Sequence, residues 1–415
     1  MAHTPLLLQL VIILTTARLC GLLLRYVGQP PVIGEMVAGL LLGPIVLGTW
    51  FPGFHAQLFA KEALPPLTSL STLGLVLFMF IVGVELRAPN GVRAQFREAG
   101  AVGIMSVLMP IALGLGVAPL VYPLAPKGVA FWPFALFMAA AMSITAFPVL
   151  ARILKDRDLT QTRIGRLALA SAAITDVFAW ILLALVVALL GSHTGLNGFL
   201  KTTIGMVAMC VVVFGVLRPV YAWLLARYAG DGRPTLMLLT TLMVGLFGCA
   251  AATQWLGLHE VFGAFLFGAC LPRDDRLLKY LMERVEYVAI VVLMPIFFAL
   301  AGLNTTRDAF VGAGLGAMTV IVGAAILGKV LGGAAGARIA RHSWRDSFAI
   351  GSLMNARGLM ELIVMKIGLD AGVIGPALFT MLLVMALTTT IATSPLVMLF
   401  AGKRADEPYG PVNRV

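Results

Sequence analysis

The fold class predicted for this 415-residue chain is an all-α polytopic membrane protein with about 13 transmembrane helices. Three observations predict it. Apolar residues make up 60% of the sequence and charged residues 12%, half the share of about 25% usual in soluble domains. Apolar windows of membrane-crossing length recur from end to end. The basic residues alternate between successive connections, as the positive-inside rule requires.

The windows are 5–24, 31–49, 68–86, 99–122, 130–153, 164–190, 200–226, 236–254, 258–272, 284–303, 309–337, 346–368 and 374–401. The ninth is short and glycine-rich. Of the 30 Lys and Arg residues, counting those near span ends with the adjoining loop, 23 go with the side reached after odd-numbered spans or the tail and 4 with the other side, while Lys329, Arg357 and Lys366 are counted inside spans. A wrong span number would scramble this bias. It places the N-terminus outside and the C-terminus in the cytoplasm, with 403–415 as a short cytoplasmic tail. The formal charge of +11 is thereby a matter of topology, not of nucleic-acid binding. The first twenty residues lack a basic leader region and read as a first span. Cys20, Cys210, Cys249 and Cys270 are scattered through apolar spans without metal or redox spacing, so they read as small buried side chains.

The order of spans carries a repeat. GEMVAGLLLG (34–43) in span two is echoed by HEVFGAFLFG (259–268) in span nine, and LFMFIVGVEL (77–86) in span three by IFFALAGLNT (296–305) in span ten. An offset of seven spans is odd, so the copies run in opposite directions. Inverted repeats over about 5–190 and 236–401, joined by a linker helix at about 200–226, are the design of a secondary transporter within one membrane domain, 1–402. The corresponding spans five and twelve are both interrupted. SITAFPVLARIL (143–154) holds Pro148, which removes a backbone donor. SLMNARGLMELI (352–363) holds Asn355, Arg357 and Gly358 where a span should be apolar. Paired interruptions point to a site at the midplane, where freed carbonyls and amides bind charge.

Asp176 stands alone in LALASAAITDVFAWILLALVVALL (167–190). A helix of that length is about 36 Å long, and Asp176 is about 15 Å into it. A carboxylate at that depth costs roughly 3 kcal/mol or more, and such residues mark ion or proton pathways. Desolvation disfavours a bare buried carboxylate, so it holds either a proton or a cation. Thr175, Ser143, Thr145 and the carbonyls of 143–147 are the candidate oxygen ligands beside it. Lys329 either compensates the negative end of a broken helix, carries a proton itself, or snorkels to the interface. Arg357 and Glu361 are four apart and pair if their segment is helical, which assigns them a structural role. Lys366 and Asp370 read as a surface pair. Glu35 and Glu260 are expected at helix N-termini, with His259 packed beside the latter. No nucleophile–base pair, metal cluster or phosphate loop suggests an enzyme.

These motifs resemble the monovalent cation:proton antiporter family, including Kef-type bacterial transporters and plant cation/H+ exchangers. SITAFPVLARIL, IGRLALASAAITDVFAWILLALVVAL (164–189), VIGEMVAGLLLGPIVLG (32–48), GLHEVFGAFLFGACLP (257–272) and GLMELIV (358–364) match in order, over nearly the whole membrane part. The resemblance implies an NhaA-like fold, a homodimer, elevator-type alternating access, Asp176 as the cation- and proton-binding carboxylate, and Lys329 as the family's intramembrane lysine near the helix crossing. It also implies a bacterial inner-membrane location, Na+ or K+ and H+ as transported ions, and no cofactor. Two departures matter. Electrogenic relatives have a second Asp where this chain has Thr175, which suggests electroneutral exchange. Kef-type proteins continue into a nucleotide-binding domain, whereas this sequence stops at 415, so nucleotide gating is not expected. A Kef-type, channel-like K+ efflux transporter is the alternative. A membrane sensor or assembly subunit is less suited, since no sizeable soluble domain is there to deliver a signal, and a metabolite symporter with an anionic substrate would want a cationic site where the midplane offers Asp176 as well as Lys329.

Overall fold

The computed structural model describes residues 6–85, 92–157, 159–160, 162–190, 195–228, 235–256, 260–272, 276, 280 and 282–401. Within them the chain is helical: α1 (Leu6–Tyr26), α2 (Pro31–Leu42), α3 (Leu47–Trp50), α4 (Pro52–Leu58), α5 (Leu64–Glu85), α6 (Val92–Val121), α7 (Phe131–Ser143), α8 (Phe147–Asp156), α9 (Arg163–Leu190), α10 (Gly195–Val212), α11 (Arg218–Tyr228), α12 (Leu236–Trp255), α13 (Glu260–Cys270), α14 (Met294–Leu303), α15 (Ala313–Ile339), α16 (Trp344–Leu353), α17 (Leu359–Asp370) and α18 (Pro376–Ala401). Among the described residues, 9 helical stretches are long and apolar enough to cross a membrane by length and composition. Shorter apolar helices such as α7 and α13 lie between them.

Local chemistry explains where helices stop. Gly43 and Pro44 end α2, so the span expected at 31–49 is a helix, a turn and the short α3. Span seven keeps its length but not its regularity, because a π-helical segment, Val213–Leu217, joins α10 to α11. Two more π segments, Met282–Glu286 and Ala289–Leu293, precede α14. Glu260 opens α13, where its charge suits the positive helix end. Glu35 lies beyond the first turn of α2 and is buried, which corrects the expectation of an N-terminal position. His259 lies outside the described residues.

The chain divides into two compact units. The first takes Met1–Thr16, Trp50–Arg87 and Val187–Leu300. Its centre is the packing of α13 on α5, where each helix gives up side chains at the contact. A Cβ on Gly83 would strike the Phe265 carbonyl, and one on Gly268 would strike the Phe80 carbonyl. Phe80 stacks on Phe267 at 5.9 Å, and Tyr221 meets Phe267 edge-on at 4.9 Å.

The second unit takes Ala17–Thr49, Ala88–Val186 and Ala301–Val415. Here α15 lies along α6, with Gly328, Gly332 and Gly336 at four-residue intervals against Pro110, Met105 and Ala101. Small residues at that spacing let two backbones approach where the bilayer offers no hydrophobic driving force. A single apolar core joins Ala168 and Ala172 of α9, Ala146, Val149 and Leu150 around α8, and Leu353, Met354 and Ala356 at the end of α16.

Candidate ion-exchange site

Both interruptions expected from the sequence occur in the second unit. α7 stops at Ser143, Ile144 is extended at φ −71°, ψ 138°, and α8 resumes at Phe147. Pro148 falls in the first turn of α8, where its missing N–H costs nothing. The second break covers Met354 to Gly358 and ends where α17 begins. The two breaks meet. The Ala146 N–H donates to the Ala356 carbonyl at 3.0 Å, and the Thr145 hydroxyl donates to the Met354 carbonyl at 3.3 Å.

A helix ends with four carbonyls that lack partners and with a partial negative charge. The end of α7 is buried, so water is not there to meet them. Ala140 O accepts the Ser143 hydroxyl at 2.8 Å. Ala141 O and Met142 O accept the Arg357 guanidinium at 3.1 and 2.6 Å. Ser143 O accepts the Lys329 ammonium. Lys329 donates also to Ser106 O at 3.1 Å and Thr145 Oγ1 at 2.6 Å. Two basic side chains thus face the negative end of one half-helix.

Both side chains are entirely buried, as is Glu361, in the first turn of α17. Arg357 Nη1 donates to Glu361 Oε1 at 2.7 Å, an i,i+4 pair with neither side chain exposed. The carboxylate also sits at the positive end of its half-helix. Further hydrogen bonds offset the cost of removing an ion pair from water, and the α7 carbonyls supply them for Arg357. Asn355 donates to Thr389 O at 2.9 Å, and the Arg357 N–H to Thr390 Oγ1 at 2.9 Å.

Of the oxygen ligands expected from the sequence, Ser143 and Thr145 come together at the first break. Thr175 is buried on α9, donates to Ala172 O at 2.8 Å and packs against Gly103 of α6. Gly103 is one turn from Ser106, whose carbonyl takes Lys329. Asp176 lies in α9, four residues after Ala172, and its side chain lies outside the described residues. Of the readings open for Lys329, burial removes snorkelling. The Lys366–Asp370 pair forms on an exposed face, as expected. Sequence reasoning missed Ser106, Thr389 and Thr390. The run ALTTTIATS (386–394), a cluster of hydroxyls in the last span, is the signal for the threonines.

The carbonyls at the end of α7 are held by Arg357 and Lys329, so the crossing of the two interrupted helices is an oxygen-lined, charge-bearing site within the bundle. Broken half-helices inside a bundle of apolar spans define a membrane-embedded secondary transporter. The family described as "Sodium/hydrogen exchanger, transmembrane" matches residues 12–399, and the chain belongs to it. It is 39% identical over 393 residues to the Na(+)/H(+) antiporter NhaS4 of Synechocystis, covering 94% of this chain and 95% of that protein. It is 36% identical over 394 residues to cation/H(+) antiporter 18 of Arabidopsis thaliana, covering 94% of this chain but 48% of the plant protein, so it spans about half that relative's length. The fold is that of the sodium proton antiporter MjNhaP1 from Methanocaldococcus jannaschii, with a TM-score of 0.66 at 15% identity over 96% of this chain and 98% of that one. The family resemblance and the all-helical membrane fold read from the sequence are thus borne out.

Proposed function

We propose that this protein is a secondary antiporter that exchanges Na+ or K+ for H+ by alternating access, electroneutrally, with Asp176 as the shared binding carboxylate. The observation that carries the reading is the crossing of the two breaks in one core with α9, whose single acidic residue is Asp176. Ala172, one turn before it, packs in that core. Asp176 takes a proton or a cation, never both, because charge left bare in a desolvated site is costly. Thr175, Ser143 and Thr145 are the proposed oxygen partners. Lys329, Arg357, Glu361 and Asn355 keep the half-helix ends compensated without water. The homodimer, the bacterial inner membrane, and an outside N-terminus with a cytoplasmic C-terminus belong to the same proposal, as do the inverted repeats about 5–190 and 236–401.

The test is ion flux in proteoliposomes loaded with a pH dye. Na+, K+, Li+ and choline are added in turn under a pH gradient, to wild type and to Asp176→Asn. Cation-dependent proton movement in wild type and none in the variant is the expected result. Flux that persists in Asp176→Asn would remove Asp176 as the carrier. Cation movement without proton movement would mark a channel.

A further inference from the structure

The second break leaves backbone groups without helical partners, and in a buried segment each needs another. One side chain meets both groups of Arg357. Its N–H donates to Thr390 Oγ1 at 2.9 Å, and the same hydroxyl lies 2.9 Å from its carbonyl oxygen. The hydroxyl proton can go there or to Ala386 O, 2.8 Å away in α18. A hydroxyl both accepts and donates at a single atom. Thr390 is buried, and the carbonyl of its neighbour Thr389 holds Asn355.

From this geometry we propose that Thr390 is a positioning residue of the exchange site. It clasps the Arg357 peptide and so fixes the second break in register with the first. The register matters at two points. The Ala356 carbonyl, one residue before the clasp, accepts from Ala146 at 3.0 Å. The Arg357 side chain, carried by the clasped residue, holds the Ala141 and Met142 carbonyls at the end of α7. The Thr390 hydroxyl bonds to the Arg357 peptide and to Ala386 O. It acts through Arg357 and the Ala146–Ala356 bond on the place where the two half-helices cross. The competing explanation is an ordinary helix threonine bonded only to the carbonyl four residues back, as many membrane threonines are. Such a residue would tolerate valine.

The inference rests on the antiport reading, so one readout is independent of transport. Amide hydrogen exchange over 354–358 and cation-dependent proton flux are measured in wild type, Thr390→Val, Thr390→Ala and Thr390→Ser. Thr390→Val, nearly the same size, is expected to speed exchange of the Arg357 amide about tenfold, the effect of one lost buried hydrogen bond. It should raise the apparent KM for the cation several-fold, with a smaller change in maximal rate. Thr390→Ser, which keeps the hydroxyl, should restore both. Unchanged protection in Thr390→Val, or a serine variant as impaired as valine, would overturn the proposal. If Thr390→Val does not fold, alanine against serine makes the same comparison. If wild type shows no coupled flux, the antiport reading fails, and amide protection still decides whether Thr390 clasps the break.

Discussion

At Glu361 and Arg357, the guanidinium is held by the Ala141 and Met142 carbonyls as well as by the carboxylate, whereas Glu361 relies on Arg357 through Oε1. Glu361→Leu leaves the Arg357 guanidinium with carbonyls but no counter-charge, at an expected cost of about 3–5 kcal/mol. Arg357→Met in the same chain should cost far less than the sum of the two single changes. A double-mutant cycle of thermal melting measures that coupling. Additive losses would mean that the pair is not electrostatically linked. Lys329→Met is expected to destabilise the protein as well, because the Ser106 and Ser143 carbonyls and the Thr145 hydroxyl lose their donor, roughly 1–3 kcal/mol for each group left without one. The Arg357–Glu361 pair was legible in the sequence, since two opposite charges four apart in an apolar span have little else to do. The partners of Lys329 were not. Two are backbone carbonyls 223 and 186 residues away, and a carbonyl carries no mark in a sequence; the third is the Thr145 hydroxyl, 184 residues away.

At the level of helices, interruptions announce themselves better than irregularities. Pro148 and the Asn355–Gly358 stretch are breakers by composition: the first break, 144–146, lies just before Pro148, in the first turn of α8, and the second covers 354–358. The π segment in the middle of span seven has no such signature, because a bulge of one residue leaves the apolar content unchanged. Close helix contacts lie between. GEMVAGLLLG and HEVFGAFLFG mark glycine-rich helices, but only the fold shows that Gly268 of α13 faces the Phe80 carbonyl of α5. Gly268→Leu is therefore expected to force these helices apart, at a cost of about 1–3 kcal/mol or more. The check is a lowered melting temperature, while the same substitution at Gly248, whose surroundings are open, has little effect.

For the molecule as a whole, the distribution of acids bears on how exchange responds to voltage. α9 offers one carboxylate, with Thr175 before it. A single carboxylate that trades one cation for one proton moves no net charge. Proton flux in proteoliposomes should then be the same with the membrane potential clamped at zero or imposed. Thr175→Asp adds a second acid, and its flux is expected to become sensitive to potential, at about 2.3 kcal/mol per charge per 100 mV. A wild type whose rate follows the imposed potential would contradict electroneutral exchange. The transport class was legible from the sequence because length, charge bias and paired interruptions are properties of the whole chain. The identity of the cation depends on ligand distances at a scale that spacing in a sequence does not encode.

The cations at the end of α7 also bear on how the protein is made. Lys329, Arg357 and Glu361 are synthesised late, in the second half of the chain, yet the carbonyls that receive the two cations belong to Ser106 and to Ala141 through Ser143, in the first half. An Arg or Lys entering the bilayer unaided costs roughly 2.5–3.5 kcal/mol. If insertion follows synthesis, the late helices are expected to find their acceptors already embedded, with the first half as the template for the second.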